Sequence, residues 1–125
     1  MSSTFSRPFL TFHALREANE QRLQDFRNAR GELVHRDKPE WSLSQWGCAL
    51  AGEVGEALNI VKKMERGDFT MAEWNNRHKH ELANELADVM IYLDLLALHA
   101  GISLPEAIVH KFNLVSNRIN STIHL

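Results

Sequence analysis

The chain has 125 residues, 44% hydrophobic and 24% charged, a balance that suits one small globular domain spanning residues 1–125. With 14 basic and 16 acidic side chains the formal net charge is −2, which leaves no basic excess to hold a nucleic-acid backbone. A lone Cys48 excludes an internal disulfide and any Cys-x-x-Cys zinc spacing. No run of about 18 apolar residues is present to span a membrane, and residues 1–12 lack signal-peptide order, so the expected setting is the cytoplasm.

Prolines occur only at positions 8, 39 and 105, which leaves three stretches free to run as helices and predicts an all-α chain. The first helix is expected over roughly 9–30, with Phe12, Leu15, Leu23 and Phe26 as its spaced apolar positions. Gly31, Asp37 and Pro39 then break the pattern. Ser42 followed by Gln45 forms a capping-box pattern that opens a second helix, lasting to about Arg66 and stopped by Gly67. A connector over 67–76, with one helical turn around Ala72–Trp74, leads to a third helix from about Arg77 to Ala100, ended by Gly101. Ser103, Pro105 and Glu106 open a fourth helix that reaches about Arg118, and residues 119–125 carry no strong signal. So short a chain gains by burying a face against a second copy. The expected architecture is therefore a four-helix bundle completed by homo-oligomerisation, as a homodimer or homotetramer.

Leu50, Val54, Ala57 and Val61 form an apolar stripe on the second helix, and Leu82, Leu86, Val89, Leu93 and Leu96 form one on the third, so both stripes are expected in the core. Glu53 and Glu56 lie about 60° and about 120° to one side of the first stripe, and Glu85 and Asp88 repeat those offsets on the third helix. Packing the stripes together brings four carboxylates toward one cleft, where they repel unless a cation neutralises them or their pKa values rise. An all-oxygen ligand set suits Mg²⁺, with Mn²⁺ as the alternative, and does not suit Zn²⁺. Mg²⁺ keeps open positions for phosphate oxygens, which points to phosphate chemistry. An isolated E-x-x-E is usually just a solvated helical face, and it is the matching of two pairs beside two stripes that favours the metal.

The segments Ala51-Gly52-Glu53-Val54-Gly55-Glu56-Ala57 and Glu85-Leu86-Ala87-Asp88-Val89, with Ile91-Tyr92, resemble the E-x-x-E and E-x-x-D metal motifs of MazG-like nucleoside triphosphate pyrophosphohydrolases. Trp41 to Trp46, Lys62-Lys63, Gly101 to Leu104, and Lys111-Phe112-Asn113 through Arg118 extend the resemblance over about 41–118. It implies an all-α enzyme that hydrolyses a nucleoside triphosphate to the monophosphate and pyrophosphate, in nucleotide-pool house-cleaning, with Mg²⁺ held by Glu53, Glu56, Glu85 and Asp88. It also implies cations along the cleft. Lys111 and Arg118 lie where the family's last helix contributes them, and Lys62 and Lys63 are weaker candidates. As a plain reading, the same two groups are a solvated basic face near a helix C-terminus.

A nucleobase needs flat apolar surface, for which Trp41, Trp46, Trp74 and Tyr92 are the candidates; Tyr92, one turn beyond Asp88, is the best placed, Trp41 is a further expected contact, and Trp46 is expected in the core. Asn113 is a candidate substrate contact that serves equally well as a surface amide. The seven histidines contain no H-x-x-x-H pair, and the one Glu-x-x-His spacing, Glu32 to His35, falls in a loop, against zinc and di-iron sites. No phosphate-binding P-loop or Gly-x-Ser-x-Gly elbow occurs. The competing readings are a narrow dUTP or dCTP pyrophosphatase of the same superfamily and a catalytically silent helical interaction module.

Overall fold

The computed structural model describes residues 9–36, 38 and 40–125. The helix break read at Asp37 and Pro39, and the segment 1–8, lie outside the described residues. Four helices carry the fold, as the all-α reading expects: α1 (Phe12–Arg22), α2 (Leu43–Glu65), α3 (Lys79–His99) and α4 (Leu104–Arg118). Among the described residues no single helix is long and apolar enough to cross a membrane.

Helix α1 starts at Thr11, whose hydroxyl accepts from the Ala14 amide, and stops well short of the expected residue 30. Leu23–Asp25 tightens into a 3₁₀ turn and Phe26 is extended. The reason for the early stop is a local competitor. The Asn28 side chain accepts from the amides of Arg30 (2.9 Å) and Glu32 (3.0 Å), Gly31 adopts φ +78°, and Arg27 pairs with Leu33 in an antiparallel bridge. A hairpin-like loop therefore replaces the last two turns of the expected helix.

The capping box at Ser42 is formed in both directions, Gln45 N to Ser42 Oγ at 3.2 Å and Ser42 N to Gln45 Oε1 at 2.8 Å. Gly67 at φ +84° closes α2, with the Asp68 amide returning to the Lys63 carbonyl. The connector is shorter than expected. A second capping box, Thr70 with Glu73, opens a helical turn at Met71–Glu73, which runs through a π-helical segment, Trp74–His78, straight into α3. Phe69 from the connector stacks on the His78 ring, and His78 Nδ1 meets Glu81 at 2.9 Å. Gly101 at φ +71° ends α3, and α4 leaves at 103°. Ser103 occupies the N-cap position with extended backbone, but its side chain makes no capping bond.

Helices α2 and α3 pack along their length, and α1 lies on α3. The centre of α1 on α3 is a polar clamp. Asp94, 1% exposed, accepts from Arg16 Nε at 3.1 Å and from Asn19 Nδ2 at 2.9 Å, and Arg16 also donates to the Ile102 carbonyl. Trp46, Ala57, Leu95 and Ala97 are fully buried, Trp46 as expected.

The stripes are only partly interior. Leu50, Val61, Leu82, Val89, Leu93 and Leu96 are half-buried, whereas Val54 and Leu86 are exposed, beside exposed Leu58 and Met90. The cause is geometric, because α4 turns away at 103° instead of lying along α2 and α3, and among the described residues no helix packs over that flank of the pair. The tail folds back on its own helix. Asn113 exchanges two hydrogen bonds with the Leu125 main chain, His124 Nε2 reaches Asn117 Oδ1 at 2.8 Å, and the fold-back walls an apolar groove of about 540 Å³ lined by Ile108, Phe112, Val115 and Ile123.

Candidate carboxylate centre and aromatic pocket

Because α2 and α3 pack side by side, their acidic shoulders meet. Glu53, Glu56 and Glu85 each offer an oxygen within 4.8 Å of the others, and Asp88 stands close enough for its charge to act on both Glu53 and Glu85. Burial, and then the charges of Glu56, Asp88 and Glu85, push the Glu53 pKa up. Burial and the hydrogen bond and charge of Glu56 do the same at Glu85. One Glu85 oxygen, Oε2, is shielded from solvent and has no hydrogen-bond partner among the described residues.

Mutually repelling carboxylates with an orphaned buried oxygen fit a divalent cation with oxygen ligands, the species that satisfies both the charge and the lone pair. A solvated acidic face would show neither convergence across two helices nor a shielded orphan.

This electrostatic strain has a measurable sign. A carboxyl that holds its proton more tightly when folded contributes stability below its ordinary pKa of 4.5 and loses it as pH rises through the raised folded value. In EDTA, the thermal midpoint is therefore expected to fall across that window by more than it does in Mg²⁺, because the cation offsets the repulsion. Parallel pH curves with and without Mg²⁺ would contradict the metal assignment.

Next to the acids lies a pocket of about 220 Å³ lined by Phe26, Arg27, Val34, His35, Trp41, Trp46 and Tyr92. Trp41 and Trp46 are 4.7 Å apart, and Trp46 is sandwiched between His35 (5.3 Å) and His99 (4.7 Å), near-parallel to both. Burial, and then the charge of His99, lower the His35 pKa, so at neutral pH it presents a neutral ring. Tyr92 joins pocket and acids: burial, Glu53 and Asp88 raise its pKa, which keeps the hydroxyl protonated as a donor.

Of the expected site residues, the structure therefore gathers Glu53, Glu56, Glu85 and Asp88, with Trp41 and Tyr92 alongside. Trp74 lies in the π-helical segment and does not line the aromatic pocket. Lys63 lies two turns beyond Glu56 on α2, where it and Lys62 act on Asp68, itself paired with Arg66. Lys111, Asn113 and Arg118 lie on α4. Among the described residues no ion pair or hydrogen bond links them to the acids, Asn113 being bonded to the tail and Lys111 lining the apolar groove.

Sequence reasoning missed Phe26, Val34 and His35, which it left in a helix end and a loop. The available signal was the density of aromatic rings in 26–46.

The chain is similar to curated proteins named dCTP pyrophosphatase 1. It is 30% identical over 125 residues to that of Mus musculus, covering 98% of this chain and 69% of that protein. It is 36% identical over 77 residues to that of Homo sapiens and 34% identical over 77 residues to that of Rattus norvegicus, each match covering 62% of this chain and 44% of that protein. The chain thus spans less than half the length of the human and rat relatives it matches. No family model and no solved structure matches it.

Proposed function

Because the chain belongs to the MazG-like nucleoside triphosphate pyrophosphatases, we propose that it hydrolyses a nucleoside triphosphate between the α and β phosphates, releasing the monophosphate and pyrophosphate. The observation that supports this best is the carboxylate cluster shared by α2 and α3 with an aromatic pocket of about 220 Å³ beside it. A pyrimidine deoxynucleotide, dCTP first, is the substrate we favour over a broad set, since the relatives are named for dCTP and the pocket is small.

Glu53, Glu56, Glu85 and Asp88 would hold Mg²⁺, or Mn²⁺ in its place. When bound, such a cation supplies charge neutralisation for phosphate oxygens and a lowered pKa for water. The remaining steps belong to the chain. Trp41 and neutral His35 hold the base by stacking, with buried Trp46 backing them, Tyr92 donates a hydrogen bond from the pocket's edge, and a cluster carboxylate oxygen not used in ligation accepts the proton of the attacking water.

Exposed Val54, Leu58, Leu86 and Met90 adjoin the acids in sequence and on the helix surface, so a second copy covering this flank would shield the cleft. In that homodimer, the partner's α4 is the source of the cations a triphosphate requires, with Lys111 and Arg118 as the groups concerned and Asn113 and Lys63 as further contacts. The lone free Cys48 suits a cytoplasmic location.

A pyrophosphate-release screen over the canonical NTPs and dNTPs, in Mg²⁺, Mn²⁺ and EDTA, tests the reading. Release of dCMP and pyrophosphate from dCTP that EDTA abolishes is expected, from a species of twice the 14.3 kDa chain mass by light scattering. Silence on every nucleotide in both metals sinks the enzyme reading in favour of a helical interaction module.

A further inference from the structure

We propose that Arg22 is the cation that grips the sugar-proximal phosphate of the nucleotide, a role resting on the nucleotide reading above. The other arginines between residues 9 and 36 are already committed. Arg16 is held by Asp94 and the Ile102 carbonyl, Arg27 donates to the Gly31 carbonyl at 2.7 Å, Arg30 pairs with Glu32 at 2.8 Å, and Arg36 pairs with Asp25 at 3.6 Å. Arg22 makes no ion pair with the described residues. Its guanidinium carbon instead lies 5.8 Å from the centroid of the Phe26 ring.

That position is a junction. Phe26 and Tyr92 line the aromatic pocket, while Arg22 lines the neighbouring cleft with Asn19, Asp25 and Ile91, the residue before Tyr92. The Arg22 charge reaches the Tyr92 hydroxyl, where it opposes the charges of Glu53 and Asp88. In the proposed pose, a nucleotide with its base among the aromatic rings and its outer phosphates at the carboxylates brings its sugar and first phosphate past Tyr92, on which both the acids and Arg22 act. A guanidinium fork matches two phosphate oxygens, and one already drawn over the face of an aromatic ring loses less freedom on binding than a free one. Nothing in the sequence pattern marks Arg22, since it reads as one more cation in the last turn of a helix.

The test is ligand-observed NMR titration, which reaches millimolar affinities, of wild type, Arg22→Ala and Arg22→Lys with dCMP, with deoxycytidine and, in EDTA, with dCTP. For Arg22→Ala we expect dCMP affinity to drop about tenfold or more, with deoxycytidine affinity within about twofold of wild type. Arg22→Lys should recover part of the loss by restoring the charge without the fork. Unchanged dCMP affinity in Arg22→Ala overturns the inference. Equal losses for dCMP and deoxycytidine overturn it too, because they mean that Arg22 only shapes the pocket through Phe26. A wild type that binds neither dCMP nor dCTP overturns the nucleotide reading itself.

Discussion

Glu53→Gln is expected to lower Mg²⁺-dependent pyrophosphate release by about a hundredfold or more, since it removes one ligand charge from the centre proposed to neutralise the phosphates. Loss of activity alone would also follow from misfolding, so the informative readout is stability. Glu53 sits among Glu56, Glu85 and Asp88, and its ionised form is disfavoured in the fold. A neutral glutamine relieves that repulsion, so in EDTA at neutral pH the variant should melt at a higher temperature than wild type, with an unchanged helical far-UV signal. Mg²⁺ should then stabilise wild type more than the variant. An active Glu53→Gln protein, or one less stable than wild type in EDTA, would falsify the placement of Glu53 in a metal centre.

Asp94→Ala is the substitution expected to cost the most stability. The carboxylate is 1% exposed and is the shared acceptor of Arg16 and Asn19, so its removal strands a cation and a buried amide at the α1–α3 interface. Breaking such a pair by taking one partner costs about 3 kcal/mol, readable as a shift in the urea midpoint at fixed protein concentration. Replacing Arg16 and Asp94 together with Met and Leu should restore much of the loss, because desolvated charges are then absent from both sides. If Asp94→Ala unfolds within about 0.5 kcal/mol of wild type, the clamp does not hold α1 in place.

The helices were legible wherever the signal was local. Ser42 with Gln45, and the glycines at 67 and 101, mark ends that depend on one turn of chain, and the structure places those ends where they were expected. The carboxylates were legible too, since a three-residue spacing beside an apolar stripe fixes a direction on a helix and two such directions converge when the stripes pack. What failed depended on competition or on distance in sequence. Asn28 captures the Arg30 amide, which the last turn of a helix reaching residue 30 would use, and a periodic pattern of apolar residues cannot reveal that. One local signal belongs with the legible ones: Thr70 with Glu73 repeats the capping box of α2 and opens the turn expected at Ala72–Trp74 one residue early. The depth of the stripes was misjudged because burial of Val54 and Leu86 depends on what lies across from them, and α4 does not. Asp94 had one visible trace, an acid set between Leu93 and Leu95 on an apolar helix, but its partners lie 75 and 78 residues away.

The walls of the aromatic pocket come largely from the chain between α1 and α2, where the Arg27–Leu33 bridge and its flanking main-chain hydrogen bonds tie the two sides together, while the carboxylates stand on two long helices packed against each other. Loops tolerate insertion and substitution far better than packed helices do. On the proposed function, selection for a different base could therefore rework Val34, His35 and their neighbours, or lengthen the turn at Asn28–Gly31, without disturbing the carboxylates assigned to hydrolysis. Recognition and chemistry are in this sense separately heritable, and variation among relatives of this chain should be concentrated in that crossover, with the acids left alone.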